Sequence, residues 1–168
     1  MDIYMMNIAE GTTTVLSDHP ADEKTVVWSP DGKHIAFVDD DTRIRIVSLE
    51  KKSIKTIDNA GTNLERGRMG ITWSPDSKKI ATYQQDQRHV NDMYLVETKV
   101  GAPVLQKWKY PLPEDEEIIK IHRVVIHLGD EPEVVRLKMN PDDRRGTLCD
   151  DISCKGNFGD VRWSDDSK

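Results

Sequence analysis

Histidine and cysteine are the residues of this chain whose chemistry could support metal binding or acid–base catalysis. The five histidines stand at positions 19, 34, 89, 122 and 127. Only His122 and His127 lie close together on one predicted strand, and their odd separation places them on opposite faces. They are therefore not expected to bind one metal ion together, and no metal site is predicted.

The sequence lacks the short motifs of common catalytic and cofactor sites. It has no G-x-S-x-G nucleophile elbow, no H-E-x-x-H zinc motif, no P-loop and no G-x-G-x-x-G dinucleotide fingerprint. We therefore predict no catalytic residue and no cofactor within this chain.

Cys149 and Cys154 are the only two cysteines. Two thiolates cannot supply the four ligands of a structural zinc site, so zinc binding is not expected. Two interpretations stay open, a disulfide within one loop or two unrelated reduced thiols. A disulfide would indicate an oxidising compartment.

Three further features could bind a ligand, and a structural explanation is favoured for each. The acidic run Glu114–Glu117 could attract a cation or an amino terminus, but a solvated loop explains it more simply. Trp108 and Tyr110 could form an aromatic shelf for a ligand, or they could anchor their loop against a sheet. The pair Arg88 and His89 could face a central funnel.

A hexapeptide, W-S-x-D-[GS]-K, occurs three times, and it indicates architecture rather than chemistry. The copies are WSPDGK at 28–33, WSPDSK at 73–78 and WSDDSK at 163–168. A motif that recurs at a period in the forties and joins two apolar runs is typical of a β-propeller. We expect each Trp to bury a large apolar area and each Asp to bond backbone donors of its turn. The residues assigned these structural roles are Trp28, Asp31, Trp73, Asp76, Trp163 and Asp166.

The first repeat divides into four predicted strands. These are Thr25–Trp28, His34–Val38, Thr42–Leu49 and Ser53–Ile57, with a type I turn over 29–32. Ile35–Val38 is apolar on both faces, as expected where one sheet lies between two others. Thr42–Leu49 alternates apolar and basic residues, which predicts a half-exposed strand.

The predicted fold class is all-β, a partial β-propeller of about two to three four-stranded antiparallel blades. We expect the end of a blade at 1–18, a blade at 24–58, a blade at 68–139 and the start of another at 158–168. Both ends of the sequence fall within a blade pattern. We therefore expect a piece of a longer polypeptide, truncated at both ends, with association of exposed sheet faces and hence a homodimer as one outcome.

The interval between Trp73 and Trp163 is twice the first spacing, and two interpretations apply. Asp92–Tyr94 and Gly101 resemble Asp2–Tyr4 and Gly11, which favours a complete blade before Trp108. The runs 124–128 and 134–137 also resemble the outer hairpin of a blade, which favours one blade with an insertion. The segment 108–113 contains two prolines and is predicted to be an exposed loop.

Residues 118–128 have spacing compatible with a helix. Most of them are Ile or Val, which favours a strand.

Composition excludes two classes of partner. The net charge is −6 and no block of Lys or Arg is present, so nucleic-acid binding is not expected. No apolar run approaches the roughly 18 residues that span a bilayer, and the first ten residues do not form a signal peptide.

Several segments together resemble the N-terminal propeller of the dipeptidyl-peptidase IV branch of the prolyl oligopeptidase family of serine peptidases. They are WSPDGKHIAFV, WSPDSKKIATY, WKYPLPEDE, TLCDDISC at 147–154 and GDVRWSDDSK. In that family the tyrosine–proline segment belongs to an insertion within one blade. The resemblance therefore implies one blade with an insertion around 86–117.

The resemblance implies a serine peptidase that releases N-terminal dipeptides, often with proline at the second position. Its propeller would gate peptide access to a C-terminal α/β-hydrolase domain acting in cis, and the full-length protein would be periplasmic or extracellular. The family holds the substrate amino group with two adjacent glutamates, whereas the corresponding segment 63–66 has only Glu65, so this site is not assigned. The alternative is a non-enzymatic WD-repeat-like or TolB-like propeller that binds proteins as a scaffold.

Overall fold

The computed structural model describes residues 2–17, 23–39, 43–58, 71–98, 100–144 and 162–168. Within these ranges every helix or strand assigned is a β-strand, in agreement with the predicted all-β class. The strands are β1 (Ile3–Asn7), β2 (Thr12–Ser17), β3 (Glu23–Trp28), β4 (His34–Asp39), β5 (Arg43–Ser48), β6 (Ser53–Asp58), β7 (Thr72–Trp73), β8 (Lys79–Asp86), β9 (Asp92–Glu97), β10 (Val104–Lys109), β11 (Ile119–His127), β12 (Glu133–Arg136) and β13 (Asp142–Arg144).

Strands β3 to β6 form the first sheet, which is antiparallel with strands in chain order. The four strands predicted in the first repeat are confirmed to within two residues at each end. The Ser29–Gly32 turn is also confirmed, because the Gly32 N–H donates to the Ser29 carbonyl at 3.0 Å. Ile35–Val38 is buried on both faces, as its apolar pattern predicts.

Strands β7, β8, β11 and β12 form the second sheet, with neighbours in the order β12-β11-β8-β7. Strand β13 pairs with Ile119–Ile121 of β11, along the same edge that β12 occupies further on. The long segment at 118–128 is therefore a strand, and the helical alternative is wrong. Its many β-branched residues favour a strand over a helix.

Strands β9 and β10 form a separate antiparallel pair, here called the inserted hairpin. In sequence it lies between β8 and β11, yet these two strands pair directly, from Lys79 opposite His127 to Asp86 opposite Lys120. The third and fourth strands of the second sheet are thus β11 and β12, and the inserted hairpin lies outside that sheet. The predicted loop at 108–113 is wrong at its start, because Trp108 and Lys109 pair with Met93 and Asp92 inside β10.

The two sheets are joined by one apolar core. The first sheet contributes Ala36, Val38, Ile44, Ile46 and Ile57, and the second contributes Trp73, Ile80, Val124 and Ile126, with Ile71 beside them. Full burial of a Val or Ile side chain stabilises a fold by about 1.5–3 kcal/mol. This core therefore holds the two sheets face to face.

The opposite face of the first sheet is covered by the hairpin of β1 and β2. Ile3 packs there with Phe37 and Val47. Arg43 and Arg45 lie on this same face of β5, so the strand is not half-exposed as predicted. The side chain of Arg45 is only 12% exposed, because its Nε lies 2.6 Å from a carboxylate oxygen of the fully buried Asp39. The charge of Asp39 compensates the arginines, which allows a basic strand face to be covered.

Candidate functional site

Each copy of the hexapeptide forms the same hydrogen-bonded turn. In the first copy the Ser29 hydroxyl donates to the Asp31 carboxylate at 2.6 Å and accepts the His34 N–H at 2.9 Å. The same carboxylate oxygen accepts the Lys33 N–H at 3.0 Å. Hydrogen bonds from Ser29 and from the Lys33 backbone hold the pKa of Asp31 below its ordinary value. The carboxylate therefore stays ionised and organises the turn.

The second and third copies repeat this geometry. Ser74 donates to Asp76 at 2.6 Å, and Ser164 donates to Asp166 at 2.7 Å. The serine hydroxyl is the main cause of a lowered pKa at both Asp76 and Asp166. None of the three aspartates is suited to donate a proton near neutral pH, which is consistent with a structural role.

The fifth position of every copy has a left-handed backbone. Its φ is +68° at Gly32, +59° at Ser77 and +60° at Ser167. Glycine adopts this conformation without penalty, whereas a residue with a Cβ is strained by roughly 1 kcal/mol or more. The serines in the second and third copies therefore need a compensating interaction.

That interaction joins each turn to the turn before it. The Asp31 N–H donates to the Ser77 hydroxyl at 3.1 Å, and the Asp76 N–H donates to the Ser167 hydroxyl at 3.0 Å. Both serines are buried. Here we call these two contacts the serine links. Each serine link connects residues of two successive copies of the hexapeptide, so the repeated motif also fixes how one repeat lies on the next.

The tryptophans of the second and third copies contact the preceding copy in the same way. The indole N–H of Trp73 points at the Val27 carbonyl at 3.4 Å, and that of Trp163 donates to the Thr72 carbonyl at 3.1 Å. Each acceptor directly precedes the Trp of the preceding copy.

The residue that follows the first copy and the one that follows the second copy each contact the Trp of the next copy. The ring of His34 lies 6.3 Å from that of Trp73, and the ammonium of Lys79 lies 5.9 Å from the ring of Trp163. The Lys79 ammonium also donates to the Ser167 carbonyl at 2.7 Å. Contacts between successive copies thus involve the Trp, the fifth position and the residue after the motif.

Trp28 does not meet the expectation of a buried motif tryptophan. Its side chain is 52% exposed, whereas Trp73 is 7% exposed. The difference arises because Trp73 packs in the core between the two sheets, and Trp28 belongs to neither described apolar cluster of the first sheet.

Arg88 and His89 lie in the turn that follows β8. The Arg88 guanidinium binds the Asp86 carboxylate through two bonds, from Nε at 2.9 Å and from Nη2 at 2.6 Å. This contact lowers the pKa of Asp86 to about 2. His89 is exposed. Arg88 was a candidate from the sequence, whereas its partner Asp86 was not. The D-x-R spacing in Asp86-Gln87-Arg88 could have indicated this ion pair.

The aromatic and acidic candidates near the inserted hairpin form no common site. Trp108 and Tyr110 are half-buried, and three residues of the acidic run, Glu114, Glu116 and Glu117, are exposed. Asp115 accepts the Leu112 N–H at 2.8 Å and so closes a local turn. These observations favour the structural explanations for this region.

A second polar cluster was missed by the sequence analysis. Gln84 is 5% exposed, and its Oε1 accepts hydrogen bonds from Arg136 Nε at 3.2 Å and from Arg136 Nη2 at 2.7 Å. His122 lies directly opposite Gln84 in the neighbouring strand. Burial and the charge of Arg136 lower the pKa of His122. Residues 84 and 136 are far apart in sequence, and only strand pairing brings them together.

Some of the residues considered in the sequence lie outside the described ranges. Cys149, Cys154 and Glu65 fall in segments that the structure does not describe. Within the described ranges no group of three or more His, Cys, Asp or Glu side chains could hold a metal ion. No helix in those ranges is long and apolar enough to cross a membrane.

Comparison of structures defines the class of protein. The fold is similar to that of Porphyromonas gingivalis dipeptidyl peptidase 4, with a TM-score of 0.67, 19% sequence identity and coverage of 84% of this chain. The chain corresponds to only 22% of that protein's length. Weaker similarity was found to putative TolB from Agrobacterium tumefaciens, at a TM-score of 0.40 and 19% identity, covering 83% of this chain and 54% of that one. TolB from Acinetobacter baumannii has a TM-score of 0.41 and 16% identity, covering 99% of this chain and 41% of that one. The class is an all-β partial propeller.

Comparison of sequences identifies the family. Residues 64–168 match the N-terminal region of dipeptidyl peptidase IV, so the chain belongs to this family. No curated protein is matched by the sequence. The chain is therefore a peptidase-associated propeller segment, as its repeated turns and the WKYPLPEDE segment indicated.

Proposed function

We propose that this chain is the non-catalytic propeller portion of a serine exopeptidase that releases N-terminal dipeptides. The propeller would limit which peptides reach a C-terminal α/β-hydrolase domain, and that domain would supply the catalytic triad. The observation that carries the proposal is the family match over residues 64–168.

The activity is tested on the full-length protein with a chromogenic dipeptide amide that has proline at its second position. We expect dipeptide release, and we expect it to be abolished by a reagent that phosphonylates active-site serines. This chain expressed alone should give no hydrolysis. Absence of hydrolysis by the full-length protein, together with recovery of a stable protein partner, would contradict the proposal and favour a binding scaffold.

Gating is tested with two substrates that share the same first two residues. One is a short peptide and the other is a folded protein. A propeller that limits access should allow cleavage of the short peptide and exclude the folded protein. Equal cleavage of both substrates would contradict gating without contradicting peptidase activity.

We also propose the blade limits 1–18, 24–58, 68–139 and 158–168, with the insertion around 86–117. Support comes from the strand order β3-β4-β5-β6 in the first sheet and β12-β11-β8-β7 in the second. Limited proteolysis of the full-length protein would test them. Cleavage should concentrate between these limits, apart from the paired strand β13, and in the insertion. Early cleavage within β8 would contradict the limits.

A periplasmic or extracellular location is part of the same proposal and follows from the family alone. A disulfide between Cys149 and Cys154 would support it, because such bonds persist in oxidising compartments. Peptide mapping of protein from its native source under non-reducing conditions tests this. Recovery of both cysteines as free thiols would remove that support.

Homodimer formation is the last element of the proposal, and the inserted hairpin is its candidate surface. Tyr94, Val96 and Leu105 are all more than half exposed, and the strand register places them on one face of this hairpin. Contiguous exposed apolar side chains favour association. We expect a dimer in sedimentation velocity, converted to monomer by the double variant Val96→Ser, Leu105→Ser, because these two side chains lie opposite each other on one face of the hairpin. A monomeric parent protein, or a variant that remains dimeric, would contradict this element.

A further inference from the structure

One face of the second sheet changes from apolar to polar along its strands. On β8 the residues that share this face are Ile80, Thr82, Gln84 and Asp86, because side chains alternate along a strand. Ile80 belongs to the core between the sheets, whereas Asp86 lies at the end of the strand, where the chain leaves for the inserted hairpin. The polar end of this face therefore lies where β8 ends, and Arg136 reaches it from β12, the edge strand of the sheet.

Arg136 is held at this polar end by a neutral partner. Its Nε and Nη2 both donate to Oε1 of the buried Gln84, at 3.2 and 2.7 Å. These two bonds occupy one fork of the guanidinium and leave the Nη1–Nη2 fork unused by Gln84. Arg136 itself is exposed. The free fork is thus fixed in orientation and accessible from solvent.

In the part of the chain that the structure describes, no neighbouring acid neutralises the charge of Arg136. The nearby Asp86 carboxylate is bound through both of its oxygens by Arg88. Burial and Arg136 itself lower the pKa of His122, which leaves this imidazole neutral at pH 7. Among the described residues no carboxylate lies within ion-pair distance of Arg136. A chain of net charge −6 therefore carries at this edge a positioned cation that pairs with no acid of the described ranges.

We propose that Arg136, oriented by Gln84, binds a carboxylate group of a peptide ligand through its Nη1–Nη2 fork. A planar guanidinium matches a carboxylate through two parallel hydrogen bonds, and pre-orientation reduces the entropy lost on binding. His122 flanks the site, because it lies directly opposite Gln84 in the neighbouring strand. The carboxylate could come from an acidic side chain or from a peptide C-terminus. The site does not depend on peptidase activity.

The test measures binding of three fluorescent tripeptides to the full-length protein by anisotropy. The first has a central Glu and blocked ends, the second has Gln in place of Glu, and the third is Ala-Ala-Ala with a free C-terminus. We expect binding of the Glu peptide, of the free-terminus peptide or of both, and about tenfold weaker binding of the blocked Gln peptide. Equal binding of all three peptides would overturn the proposal. So would the absence of binding at a peptide concentration tenfold above about 1 mM, the upper end of the usual physiological range.

Variants separate the positioned guanidinium from its charge alone. Arg136→Gln should weaken acidic-peptide binding about tenfold, while Arg162→Gln, which removes an exposed arginine elsewhere, should leave it unchanged. Arg136→Lys keeps the charge but loses the fork, so it should bind nearly as weakly as Arg136→Gln. Thermal unfolding of each variant checks that the fold is kept. Equal effects of Arg136→Gln and Arg162→Gln would overturn the proposal.

Discussion

Strand β8 and the inserted hairpin are consecutive in the chain, and the hairpin strands are the more apolar of the two, yet β8 is the region that is buried. Six consecutive residues of β8, from Ile80 to Gln85, are buried. The last four residues of β9 and the first four of β10 are exposed. Strand β8 has sheet partners on both sides and the first sheet against one face, while β9 pairs only with β10. Position between partners, more than apolar content, decides burial here.

The largest expected difference between these regions is in packing. Ile80→Ala removes a fully buried side chain from the core between the sheets and should lower the free energy of unfolding by about 3 kcal/mol. Leu95→Ala, at a residue 53% exposed on the hairpin, should lower it by less than about 0.5 kcal/mol. Urea unfolding measures both. Similar losses would show that the hairpin packs as closely as β8.

The serine links give the next largest effect. Ser77→Ala keeps the left-handed strain but removes the acceptor of the Asp31 N–H, so it should destabilise the protein by about 1 kcal/mol. Ser77→Gly removes the same bond but relieves the strain, so its net effect should be close to zero. The order of the two variants in thermal unfolding is the test. A glycine variant less stable than the alanine variant would contradict this account of the fifth position.

A smaller effect is expected where β8 ends and the insertion begins. The pKa of Asp86 is lowered to about 2, so its ion pair with Arg88 stabilises the fold above the ordinary carboxyl pKa and is lost as the pH falls towards 2. Asp86→Asn should therefore cost about 0.5 kcal/mol at pH 6, a modest value because the Arg88 side chain is 56% exposed. The parent and the variant should converge in stability near pH 2. A difference that persists unchanged to that pH would contradict the ion pair as its source.

Sequence reasoning identified what depends on local pattern. The apolar run Ile35–Val38 and the β-branched segment 118–128 were assigned correctly, because strand propensity and alternation are properties of neighbouring residues. The three turns were also located, since Ser and Asp recur at fixed positions in every copy of the hexapeptide.

What the sequence did not reveal depends on contacts between distant residues. The burial of Arg45 requires Asp39 from the neighbouring strand, and the orientation of Arg136 requires Gln84 across the sheet. Strand β13 has no apolar alternation and is placed by pairing with β11, beside ion pairs such as Arg123 with Asp142. The candidate site for binding a carboxylate could therefore not be predicted from the sequence, because its residues are brought together only by strand pairing.

The central claim is that the repeated hexapeptide joins each repeat to the one before it. Amide hydrogen exchange in the parent protein, Ser77→Ala and Ser167→Ala tests it most directly. We predict that Ser77→Ala speeds exchange at the Asp31 amide and leaves Asp76 unchanged, while Ser167→Ala speeds exchange at Asp76 and leaves Asp31 unchanged. Exchange at Asp31 that is unaffected by Ser77→Ala, or that changes equally in both variants, would contradict the claim.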